Sequence, residues 1–174
     1  MRNVVKAICV AVLFVMVCSS CFAASVNHVV TIVRFTQPNV MPDIPDSWYE
    51  EVANEVNAKF LEKGVQAESS KHTWEEYAKQ HLHEKRNKQE VTQEWNEILR
   101  SKYDTKVDVF VDKYAKNFDG TADIIVNIVM SSMEDGHILT DSMFTKKQMN
   151  MPRKEALQYA IKEAMVPIQK FLKK

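Results

Sequence analysis

The sequence predicts an α/β fold of the α+β-like kind: a mostly antiparallel sheet of three to five strands with a central meander, packed by N- and C-terminal amphipathic helices. Three observations carry this. Within Lys106–Thr145, runs rich in β-branched residues are separated by turns holding Asp119-Gly120 and Asp135-Gly136, a strong short-range hairpin signal. In the middle run, Ala122, Ile124, Val126, Ile128 and Met130 share one face, because strand side chains alternate. That face is wholly apolar and must be covered, and amphipathic helices at the two ends of the mature chain can cover it.

The first strand is expected over Val26–Phe35, with Val29, Val33 and Phe35 on one face and Val30 and Ile32 on the other, so both faces are partly buried. Three prolines in Gln37–Pro45 end it. A helix then starts near Asp46 or Ser47, with Ser47-x-x-Glu50 as a capping box and Trp48, Val52, Val56 and Phe60 as its buried stripe. Gly64 fits the left-handed cap, Val65 folds back onto the last turn, and a short strand follows over Val65–Glu68.

Thr73-x-x-Glu76 announces a second helix with a thin stripe of Trp74, Ala78 and Leu82, flanked by Tyr77 and His81. His83–Glu90 is entirely polar, either the exposed middle of a long helix or a break between two. Val91, Trp95, Ile98 and Leu99 restore helical spacing up to about Lys102. After the meander, Asn150 is expected to cap the final helix with Pro152 in its first turn. Leu157, Ala160, Ile161, Ala164, Met165, Ile168 and Leu172 form its stripe, and Pro167 should kink or break it about one turn earlier.

The organisation expected is a signal peptide over residues 1–23 and a single α/β domain over residues 24–174. Arg2 and Lys6 precede the continuous apolar stretch Ala7–Val17, and small residues lead to a cleavage point after Ala23. That stretch is shorter than the ~20 residues a membrane-spanning helix needs. Cys9, Cys18 and Cys21 all lie in the leader, so the mature domain has no thiol for a disulfide or a metal. Cys21 after Ser19-Ser20 also resembles a lipidation box, though Cys18 stands where that box has Leu; membrane attachment is expected only if Cys21 is lipidated. Removing Arg2 and Lys6 from 23 basic and 23 acidic residues leaves a charge of about −2, with no basic footprint for nucleic acid.

Little chemistry is legible. His81 and His83 point about 200° apart on a helix, so they cannot share an ion. His81 and Glu84 share a face but lack further ligands, while His72 and His137 are isolated in loops. The glycines Gly64, Gly120 and Gly136 sit singly at turns, and there is no phosphate loop, nucleophile elbow or zinc-binding His pair. No catalytic, cofactor-binding or metal-binding residue is therefore assigned, and no cofactor is expected. Asp108 and Asp112 share a strand face with Phe110 and Tyr114; they are read as the solvated side of a sheet, or alternatively as the acid/base pair of a small secreted hydrolase. Met130 and Met165 suit the core, whereas Met133, Met143, Met149 and Met151, if exposed together, would make a partner surface.

The order of parts resembles a known group. The leader, the strand Val29–Val33, the helix ending Phe60–Val65, the helix ending at Leu99 before Val107–Val111, and the run from Ala122–Val129 to Asp135–Leu139 together resemble the small α/β domain of bacterial envelope lipoproteins, such as the curli-secretion lipoprotein and the penicillin-binding-protein activators. In that group a strand meander is covered by helices, one of them C-terminal. The resemblance carries no catalytic residue across. It implies an exported, non-catalytic binding or assembly module of the periplasm or cell envelope, whose partner is another envelope protein; the oligomeric state is left open.

Overall fold

The computed structural model describes residues 26–36, 44–81, 87–116 and 119–173. The expected leader lies outside them. Five strands, β1 (His28–Phe35), β2 (Gln66–Ser69), β3 (Thr105–Lys116), β4 (Ala122–Ser132) and β5 (Ile138–Met149), form one sheet in the order β2-β1-β3-β4-β5. Four helices accompany them: α1 (Asp46–Leu61), α2 (Ser70–His81), α3 (Lys88–Lys102) and α4 (Arg153–Phe171).

β1 runs parallel to both β2 and β3, while β3–β4 and β4–β5 are antiparallel. The antiparallel ladders are the longer ones, so the sheet is mixed but mostly antiparallel, with the predicted meander as β3–β4–β5. Parallel neighbours need crossovers. α1 supplies the first, between β1 and β2. α2 and α3 together supply the second, which passes β1 to reach β3.

The main core lies between one face of the sheet and the pair α1 and α4. Val107, Val109, Ile124, Val126, Ile128 and Met130 are fully buried there, beneath Val56 and Phe60 of α1 and Ile161, Met165 and Ile168 of α4. Thr31 is a polar member of this face, with Thr105 and Ser142, and its hydroxyl donates to Asn57 Oδ1 at 2.6 Å. α1 ends as expected. Gly64 adopts φ +75°, its amide donates to the Leu61 carbonyl, and the Val65 amide donates to the Phe60 carbonyl. That pair of bonds is a Schellman motif, and it turns Val65 into the core.

α1 starts at Asp46, as expected, but the capping at the helix starts departs from expectation. Pro45, extended, stands before Asp46 and its carbonyl accepts the Trp48 amide, so Ser47 is already helical and forms no capping box. α2 begins at Ser70 directly after β2, which places Thr73 inside the helix and buried. Ser69 Oγ accepts the Lys71 amide at that start instead. The polar stretch holds the start of a new helix: Asn87 caps α3 by accepting the Gln89 amide at 3.1 Å, and residues 82–86 lie outside the described ones.

Pro152, not Asn150, precedes α4, because the Met151 amide bonds the Met149 carbonyl and keeps Asn150 in the turn leaving β5. α4 runs unbroken through Pro167. Glu163 and Pro167 are both exposed, so the carbonyl that the proline leaves without an amide partner is open to water.

Candidate functional site

The two faces of the sheet are covered unequally. On the face opposite the main core, Val30 of β1 packs with Leu99 and Tyr103 beneath α3, and Trp95 and Met133 close this smaller cluster. α2 and α3 stand over β1 and β2. Among the described residues, no helix lies over β4 and β5 on this side.

The bare half is built by register. One row reads Arg34, Phe110, Asn127, Met143 and the next reads Ile32, Asp108, Val129, Asp141, each crossing β1, β3, β4 and β5. Phe110, Ile125 and Val129 are half-buried, while Met143 is 68% and Ile138 62% exposed. Between this surface and α3 runs a groove of about 510 Å³, lined by Ile32, Trp95, Leu99 and Met133 with Arg34, Lys106 and Arg100.

An ion cluster forms the groove's inner edge. Asp108 is only 6% exposed and lies between two cations. Lys106 Nζ is 2.8 Å from its Oδ2, and Arg34 Nη1 is 2.9 Å from its Oδ1, the latter an ion-pair contact outside hydrogen-bond alignment. The Arg34 guanidinium also sits 5.5 Å from the centre of the Phe110 ring. A carboxylate this buried requires such neighbours.

Asp112 is tied elsewhere, accepting the Thr36 hydroxyl at 2.8 Å. The register of β3 slips between Val111 and Lys113, a bulge at which strict alternation ends. Thus the shared face expected for Asp108 and Asp112 becomes two separate interactions. Arg34, which the sequence places near the end of the first strand, and Lys106 both hold Asp108, a role that neither position signals by itself.

The remaining candidates are also placed. His81 stacks on Tyr77, with ring centres 4.8 Å apart, and His83 lies outside the described residues. Among the described residues no group of three or more His, Cys, Asp or Glu could hold a metal ion. His137 is not isolated: its Nδ1 lies 2.7 Å from Asp135 Oδ1 and its amide donates to the same oxygen. These bonds hold the Asp135 carboxyl down at about 2.

The four late methionines do not form one patch. Met149 is buried, Met133 and Met151 pack against the two clusters, and Met143 alone stands out. The inner side of α2 is Thr73 and Tyr77, with Trp74 37% exposed against Trp95. Thr73 donates to Tyr103, which donates to Glu68, and burial pushes the Tyr103 hydroxyl up to about 12. No described helix is long and apolar enough to cross a membrane.

The arrangement defines a class of fold: a five-stranded mixed sheet with helices on both faces, one face only half covered. The same fold occurs in solved structures of two bacterial proteins. The PelC dodecamer from Paraburkholderia phytofirmans superimposes with a TM-score of 0.55 at 13% identity, covering 82% of this chain and 86% of that one. Lipoprotein GNA1162 from Neisseria meningitidis superimposes with a TM-score of 0.54 at 14% identity, covering 83% and 99%. No family model and no curated protein matches the sequence.

Proposed function

We propose that this chain is an exported cell-envelope module that works by binding and assembly through the bare half of its sheet. The observation that carries the reading is that half-sheet. Its exposed surface mixes Phe110, Ile125, Val129 and Met143 with Asn127 and Asp141, a composition between a core and a solvated face. The groove beside it adds a concave rim with both charge and apolar lining. Export is supported by the basic and apolar leader ending near Ala23. Fold neighbours that are a lipoprotein and a dodecamer agree in kind with an assembly role.

Placing a photo-crosslinking side chain at Met143, and in a second variant at Lys162 on the exposed side of α4, tests this in the native host. A discrete adduct from Met143 and none from Lys162 is the expected result. Equal labelling from both positions, or none from either, would sink the reading. Intact mass from the same preparation checks export, with a chain beginning near Ala24 expected and retained Met1 excluding it.

A further inference from the structure

Resting on that reading of the bare half-sheet, we infer that its partner is a second copy of this chain, packed face to face about a two-fold axis parallel to the strands. The first argument is shape. A helix is ~10–12 Å across and stacked sheets lie ~10 Å apart. The pair α2 and α3 over β1 and β2 therefore makes a step one layer high beside the bare β3–β5 surface. With the axis over β4, the central strand of the bare three, the two-fold brings β3 of one copy opposite β5 of the other. Each helix pair then lies outside the other copy's β5, whose outer edge carries backbone groups unpaired within its own sheet.

Charge is the second argument. The bare surface is cationic at its β1 end, where the Arg34 side chain is half exposed, and anionic at its β5 end, where Asp141 is exposed. Arg34 reaches Asp108, so its guanidinium already lies in the row that ends at Asp141. Exchanging the two ends sets Arg34 of each copy against Asp141 of the other. Between them the half-buried Phe110 and Val129 supply an apolar centre. A patch that meets itself gives a closed, isologous contact.

Sedimentation velocity of the purified protein over a range of concentrations tests the pairing. A dimer is expected, with Asp141→Arg weakening it at least tenfold and Val129→Glu abolishing it, both variants keeping the parent's circular dichroism. In the dimer, a photo-crosslinker at Met143 should label β3 of the second copy, near Phe110. A monomer at every concentration, or a Met143 adduct that maps to α1 or α4, overturns the inference. If the chain is monomeric yet Met143 labels a different envelope protein, self-pairing fails and the binding-face reading stands; if Met143 labels nothing, both fail.

Discussion

Ile124 and Ile125 are neighbours in the chain and opposites in the fold. Ile124 is fully buried beneath the helices, while Ile125 is half-buried on the bare half. The difference extends along β4. On one face the residues are Ala122, Ile124, Val126, Ile128 and Met130; on the other they are Asp123, Ile125, Asn127, Val129 and Ser131. The first list has no polar member because α1 and α4 close over it. The second alternates polar and apolar, which suits a surface that must stay soluble alone and yet lose water when covered.

The largest expected effect lies on that contrast. Ile124→Asp should unfold the protein, because an unpaired buried carboxylate costs several kcal/mol against a total of ~5–15 kcal/mol. Val126→Asp and Ile161→Asp should do the same. Ile125→Asp, one residue away, should lower stability by no more than about 1 kcal/mol. Thermal melts of the paired variants decide it. Equal collapse of Ile124→Asp and Ile125→Asp would mean that the second face is as enclosed as the first.

Asp123 sharpens the comparison from the other side. It belongs to the bare-face list, and alternation alone makes Asp123→Ala mild. The structure reverses this. Asp123 is buried, and its Oδ1 accepts the amide of Gln148 at 2.9 Å. Gln148 is a non-glycine residue at φ 52°, beside the register shift that brings Ala122 opposite Met149. The carboxylate holds a strained backbone. Asp123→Ala should cost about 1–3 kcal/mol, measured by chemical denaturation, and should raise hydrogen exchange at Gln148 before elsewhere in β5.

A smaller loss is expected at the α1 terminus. At Gly64 a Cβ would meet no atom within 4 Å, so space is not the obstacle. The positive φ is. Gly64→Ala should cost about 1–2 kcal/mol through left-handed strain alone. A stabilising result by denaturant titration would contradict the Schellman geometry.

Much of the fold was legible because its signals are local and periodic. The four-residue stripe Val52, Val56, Phe60, the alternation Ile124, Val126, Ile128 and the Asp-Gly turns each mark an element without knowledge of its neighbours. What stayed hidden depends on neighbours. The parallel pairing of β1 with β3 puts Arg34 beside Phe110 and within reach of Asp108, residues some seventy positions on. The bulge at Asp112 leaves no mark in composition. Capping motifs failed at both helices: Ser47 and Thr73 have suitable spacing, but Pro45 takes the cap position before α1, and the direct passage from β2 into α2 starts that helix earlier. The bare half could not be seen at all, since a half-polar strand face reads alike whether solvent or a partner covers it.

The smallest effect expected concerns the turn that joins the two edge-ward strands and borders the groove. Asp135 is exposed, yet His137 bonds its Oδ1 through both ring and backbone nitrogen and lowers its carboxyl from 3.8 to about 2. A folded value below the unfolded one means that the contact contributes above the unfolded value, near 3.8. It is lost as pH falls through about 2. Between those limits the turn should loosen while the covered core, whose buried side chains are apolar or, like Thr31 and Asn57, uncharged, stays folded. Carbon-detected titration of the Asp135 carboxyl measures this directly. His137→Ala should move its midpoint upward toward the ordinary 3.8 and leave the melting temperature at neutral pH nearly unchanged. An unmoved midpoint would assign the depression to the turn backbone and the Ser132 hydroxyl rather than to the imidazole.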